Sequence, residues 1–261
     1  MRWIPGVLGL VVLNSCSTLT VPGQGSAVDG QAAAEQILTR SARETGDPWN
    51  RLRTLTVSYE GEWSGVARRL QPVLVDAGYR KSSVERYETA GGRIEQIHRG
   101  PEGEKKVVRT PGGARVSYSG GRVASGEDEA AAALVADAYR IFSFGSSWLA
   151  GHADDPRVLA PRSLGGEECD RIQGLLRPGI GISEEDRFIA WIGRETGRMH
   201  RIQFTIDGLE STRGADVEVT FSDFQRFPDG VESPRRFIEH VVRPLNVKAH
   251  EWRMVEREST R

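Results

Sequence analysis

Cysteine is scarce in this chain, with two in 261 residues, at positions 16 and 169. A disulfide-stapled scaffold, which needs several bridges, is thereby excluded. An excess of charge of one sign is also lacking. Lys and Arg total 35 against 36 Asp and Glu, and no half of the chain is strongly basic, which argues against nucleic acid as a partner. No apolar run is long enough to span a bilayer. Trp3 to Leu13 covers 11 residues and is broken by Pro5, Gly6 and Gly9, where a spanning helix needs about 20.

The patterns that carry covalent or metal chemistry are missing as well. There is no G-x-S-x-G, and Gly145-Ser146-Ser147-Trp148 reads as a helix terminus. His98, His152, His200, His240 and His250 are far apart, with neither H-x3-H nor H-E-x-x-H spacing for zinc. His240 and His250 can face each other on adjacent strands, where exposed histidines are the expectation. Glu184-Glu185-Asp186 and Asp154-Asp155 do not follow the spacing of a calcium loop and read as solvated acids. Gly179-x-Gly181 lacks the third glycine and the helix that a nucleotide site requires. Cys169 sits among Glu167, Glu168 and Asp170, which oppose thiolate formation, so it reads as a small, half-buried apolar residue. Nothing specific supports an enzyme, and no cofactor or metal is expected.

What the chain does have is punctuation: 30 glycines and 12 prolines, well scattered, imply many turns and many short strands. A first helix is predicted from Gln31 to Thr45, with Asp29 as its cap and Gly46 and Pro48 as its stop. Leu52 to Trp63 alternates with period two, Leu55, Val57, Tyr59 and Trp63 pointing one way, as in a half-buried antiparallel strand. Residues 70–125 read as further short strands. From Asp128 to Phe144 the period becomes helical, with Leu134, Val135, Ala138, Tyr139, Ile141 and Phe142 in one broad stripe and Ser125 and Asp128 placed to cap its start. Beyond residue 164 a meander follows, with strands at 187–192, 199–206, 215–224, 231–242 and 247–255. The expected fold is α+β but mainly β: one curved antiparallel sheet over residues 31–261, with helices covering its concave face.

The amino terminus adds a second theme. Arg2, the short apolar run and Leu13-Asn14-Ser15-Cys16 resemble a bacterial lipoprotein signal peptide over residues 1–15, with Cys16 as the lipidated first residue of the mature chain. An ordinary signal peptide cleaved nearby is the alternative. In the lipoprotein family the cysteine carries diacylglycerol, and two or three acyl chains anchor a protein durably. A non-acidic residue after the cysteine, here Ser17, implies sorting to the outer membrane, facing the periplasm. Residues 16–30, small, polar and glycine-rich, read as the lipidated cysteine and a flexible tether.

Four further segments resemble the LolA/LolB-like outer-membrane lipoprotein-sorting proteins. Ala34-Glu35-Gln36-Ile37-Leu38 and Trp49 to Leu55 look like their opening, while Ile189 to Arg198 and Phe221-Ser222-Asp223-Phe224 through Asp229-Gly230-Val231 and Pro234 look like their C-terminal strands. The resemblance covers most of residues 31–245, but region 145–180 has no clear counterpart. It implies an unclosed half-barrel of about eleven strands with a helical lid, and non-catalytic binding of a lipid or of lipoprotein acyl chains in an apolar cavity. Candidates for lining that cavity are Trp63, Tyr139, Phe142, Trp148, Trp191, Phe204 and Phe221, which equally suit a filled core. An anchored, monomeric acceptor or accessory protein fits a lipidated chain better than a shuttle does. The other reading is an envelope interaction or sensor module with no bound lipid.

Overall fold

The computed structural model describes Leu19 and residues 27–261; Cys16, the signal segment and most of the tether lie outside the described residues. After a short strand β1 (Ala27–Asp29) come helices α1 (Gln31–Glu44) and α2 (Pro48–Arg51) and strand β2 (Thr54–Trp63). Two short helices, α3 (Gly65–Leu70) and α4 (Pro72–Val75), lead to β3 (Ser82–Glu88), β4 (Arg93–Gly100), β5 (Gly103–Thr110) and β6 (Gly113–Tyr118). The long helix α5 (Gly126–His152) divides the chain. Behind it run β7 (Ala153–Leu164), β8 (Glu167–Leu176), β9 (Asp186–Gly193), β10 (Met199–Thr205), β11 (Asp216–Arg226), β12 (Glu232–Arg243) and β13 (Val247–Thr260).

All thirteen strands form one open sheet in the order β1-β7-β8-β9-β10-β11-β12-β13-β2-β3-β4-β5-β6, with every pairing antiparallel. The mainly β expectation holds, with thirteen strands in place of about eleven. β7 and β8 are the main additions, and their sequences explain why they were not foreseen. Two register shifts, at Asp154/Arg157 and Leu159/Arg162, break the alternation along β7, and β8 is buried on both faces from Ile172 to Leu176. Neither shows the period-two pattern of a half-buried strand.

α5 explains the curvature. Phe142 touches Phe204 of β10 at 6.1 Å between ring centroids, while Asp137, little more than one turn earlier, is bonded by Arg109 Nη2 of β5 at 2.8 Å. In the order of the sheet β10 and β5 are seven places apart, roughly 33 Å in a flat sheet, whereas a helix is only about 10–12 Å wide. The sheet must therefore wrap around the helix. A helix enclosed in this way is buried nearly all round, as α5 is from Ala131 to Leu149 apart from a few positions.

Local chemistry sets the ends of α5. The Ser125 hydroxyl accepts from Asp128 N at 3.1 Å and the Asp128 carboxylate accepts from Ser125 N at 2.8 Å, a reciprocal capping box as predicted. Instead of ending near Gly145, the helix breaks there, at φ 52° and ψ −133°, a conformation only glycine adopts easily, and continues to His152. The break presents Ser146 and Ser147 to α1 and α2: Ser41 Oγ lies 2.6 Å from Ser146 Oγ, and Ser147 Oγ donates to Asp47 at 2.6 Å. α1 thus forms an outer layer over α5. Asp29 does not cap it; the N-cap is Gly30, with no side-chain bond. Gly181 also acquires a reason. A side chain there would meet Leu134 of α5 at 2.9 Å, and the Gly181 amide donates to Asp137 at 3.1 Å.

Candidate binding site

The space between α5 and the sheet is where an acyl-chain cavity was expected. Six of the seven aromatic candidates share the large core: Trp63, Tyr139, Phe142, Trp148, Phe204 and Phe221. Phe142 is central, with ring centroids 5.2 Å from Tyr139, 5.8 Å from Phe221 and 5.2 Å from Phe237, which sequence reading overlooked. Trp148 lies past the break, stacked on His152 at 4.4 Å. These rings touch each other directly. The void beside Phe142 and Phe221 measures about 30 Å³, a tenth of the smallest drug-sized pocket, about 300 Å³. In this conformation the interior is a packed core.

Trp191 is the exception, and corrects the expectation that it faces the same interior. It lies on the opposite face with Leu19, Leu159, Cys169 and Ile189, its ring covered by the Arg171 and Arg201 guanidiniums at 4.9 and 5.3 Å. β9 is buried on both sides around it, Ala190 and Ile192 being fully enclosed, so alternation could not tell inside from outside. Cys169 is fully enclosed in this cluster, not half-buried, and burial pushes its thiol pKa up. Leu19 packs into this cluster, its carbonyl accepting from Arg187 Nη1 at 2.8 Å.

One wing of the core is polar. Glu85, Ser83, Gln96, His98 and Lys105 are all buried on β3, β4 and β5. Burial raises the Glu85 pKa above the ordinary carboxylate range, against the opposing effect of hydrogen bonds from Tyr87 and Ser83 and of the Arg80 charge. Lys105 Nζ is paired with Asp76 at 2.8 Å, and Asp76 also accepts from Tyr118 Oη at 2.9 Å and Arg122 Nη1 at 3.2 Å. His250 is buried and not exposed as expected; its register partner is Glu239, with Nε2 3.4 Å from the carboxylate, while His240 pairs with Lys248.

The large accessible space is elsewhere, where the end of β2, the turn into β3, the end of β4 and β13 meet. This groove measures about 1320 Å³. Seven basic side chains (Arg68, Arg80, Lys81, Arg99, Arg235, Lys248 and Arg253) line it against three acidic ones (Glu60, Glu62 and Glu251), although the whole chain carries a net charge of −1. Glu251 pairs with Lys248 at 3.0 Å, and Arg99 with Glu104 at 3.0 Å. Apolar lining comes from Trp63, Ala77, Met254 and Val255. At its centre Gly61 allows β2 to approach β13, since a Cβ there would collide with the Glu251 carbonyl and lie 2.9 Å from Trp252 Cα. Sequence reading missed this place. Its residues come from six separate segments, and no one of them is basic enough to stand out.

Among the described residues no group of three His, Cys, Asp or Glu side chains is placed to hold a metal ion, and no helix is long and apolar enough to cross a membrane. No family model matches the chain, and no curated protein does. Solved structures do. The chain is similar to a LolA superfamily protein from Nitrosomonas europaea, at 14% identity and a TM-score of 0.48, over 87% of this chain and 93% of that one. It is also similar to a domain assigned to outer membrane lipoprotein sorting from Vibrio parahaemolyticus, at 12% identity and a TM-score of 0.47, over 87% and 92% of the two chains.

Proposed function

We propose that this protein is a non-catalytic component of the bacterial envelope, anchored through acylated Cys16, that binds an amphiphile such as a lipid or the acyl portion of a lipoprotein. The carrying observation is the groove at the β2–β13 junction. It offers about 1320 Å³ and combines apolar Trp63, Met254 and Val255 with a charged rim. An amphiphile needs both, apolar area for its chains and polar groups for its head. The ligand is therefore assigned to the groove and not to the packed space under α5. Anchoring rests on the resemblance of Leu13-Asn14-Ser15-Cys16 to a lipobox. The membrane assigned is the outer one, with the domain facing the periplasm.

The test is quenching of tryptophan fluorescence by a phospholipid brominated in its acyl chains. Saturable quenching is expected, and most of it should disappear in Trp63→Phe. No quenching, or quenching that Trp63→Phe leaves unchanged, refutes the groove as the site. The closed core specifically favours a second reading, an envelope interaction or sensor module that binds no lipid. Under it the purified protein neither takes up nor co-purifies with any acyl compound.

A further inference from the structure

We infer that Arg80 anchors a site for a phosphate-class oxyanion, the headgroup of the amphiphile taken up by the groove. This inference rests on the amphiphile reading above and adds the chemistry of the head.

The basis is a surplus of buried donors. Arg80 is 4% exposed, yet its Nε and Nη2 have no hydrogen-bond partner. Instead its Cζ lies over three rings, 5.0 Å from the centroid of Trp63, 4.8 Å from Tyr139 and 5.5 Å from Trp252. Ring faces attract a cation but leave its N–H groups without lone pairs. The polar atoms of the same three rings, Trp63 Nε1, Trp252 Nε1 and Tyr139 Oη, are also buried without partners. Five buried groups that can donate thus belong to Arg80 and the three rings against it, and the phenol oxygen is the one acceptor among them. Buried cations are normally paired. The acid that influences Arg80 is Glu85, but its oxygens accept from Ser83 and Tyr87 at 2.8 and 2.5 Å, and burial favours its neutral form.

The missing partner has a definite chemistry. The Nε–Nη2 edge of a guanidinium presents two parallel donors that match two oxygens of one oxyanion. The rings against it add two unpartnered indole N–H groups and a phenol, a donor-rich setting that suits an oxyanion such as the phosphate of a lipid headgroup. Arg80 and Trp63 both line the groove, so the cluster adjoins it. Rim cations such as Lys81 and Arg253 raise the local concentration of anions there. The unpartnered edge is buried, and engaging it requires a neighbouring side chain to move aside.

The full chain in neutral detergent is titrated calorimetrically with three probes: dihexanoylphosphatidylglycerol, dihexanoylglycerol and inorganic phosphate. The phosphatidylglycerol is expected to bind at least about tenfold more tightly than the uncharged diacylglycerol. Arg80→Gln should remove that advantage, bringing the affinity for phosphatidylglycerol down to that for diacylglycerol. Arg80→Lys, which keeps the charge and loses the fork, should fall between, and it replaces the first variant if thermal melting shows Arg80→Gln unfolded. Arg253→Gln, on the exposed rim, should weaken phosphatidylglycerol binding only about two- to threefold, and only at low salt. Equal binding of the two lipids, or an Arg80 effect no larger than that of Arg253, overturns the oxyanion site and leaves the amphiphile reading standing. Binding of neither lipid overturns both. Inorganic phosphate binding as tightly as the lipid, with the same dependence on Arg80, supports the oxyanion site and overturns its assignment to a lipid.

Discussion

Truncating Phe142 to alanine tests whether the interior is a core or a lined cavity. Phe142 is 3% exposed and contacts Tyr139, Phe204, Phe221 and Phe237, with only about 30 Å³ unfilled nearby. Removing the ring forfeits roughly 2 kcal/mol of transfer free energy. Because the four surrounding rings are held by the sheet and α5, they cannot collapse into the gap, and each 50 Å³ left empty adds about 1.2 kcal/mol. The expected loss is about 3–5 kcal/mol, read as a lower urea midpoint at unchanged slope, or as a fall of about 6–20 °C in Tm for a domain of this size. A loss under about 1 kcal/mol would refute the packed-core description. It would mean that the rings around Phe142 are loose enough to close, or that the space is already open to solvent or ligand.

Other perturbations follow from the same contacts. Gly61→Ala forces a Cβ into the β13 backbone and should cost about 1–3 kcal/mol; unchanged thermal stability would contradict the close approach of the two strands. Asp128→Ala removes the side-chain half of the α5 capping box and one acceptor each of Tyr118 Oη and Arg122 Nη2, at 3.0 and 2.7 Å, and should lower stability by about 1–3 kcal/mol in denaturant titrations. The pKa of Glu85 is raised in the folded protein, so the native state holds its proton more tightly than the unfolded chain, and stability from this group is lost as pH rises from about 4.3 upward. Glu85→Gln should therefore compare more favourably with the parent at pH 8 than at pH 5, and an equal difference at both pH values would refute the shift. Cys16→Ser should move the protein from the membrane to the soluble fraction on cell fractionation; retention at the membrane would remove the proposed acyl anchor.

The elements that were legible in sequence are those with one wet face. β2 alternates cleanly because Leu55, Val57 and Tyr59 meet the core while Thr56, Ser58 and Glu60 do not; α1 carries a readable stripe, and the start of α5 a stripe and a cap. β7 and β8 were hidden, one by bulges and the other by burial on both faces. Gly145 was recognised as a point of change, but a break and a terminus use the same residue for the same reason, its access to positive φ. Three-residue β1 is too short to carry a pattern.

By itself the sequence determined the class of the fold, its antiparallel meander and six of the aromatic residues of its interior, because periodicity records how many sides of an element meet water. It also carries the lipobox-like segment around Cys16, on which the proposed anchor rests. Only the tertiary structure decided that Trp191 faces outward, that the rings close on one another with little space between them, and that Arg80 sits among three rings without a carboxylate. Those outcomes depend on which strand curves over which helix, and on side chains brought together from segments far apart in the chain. A one-dimensional pattern carries neither volume nor the identity of a neighbour across the sheet.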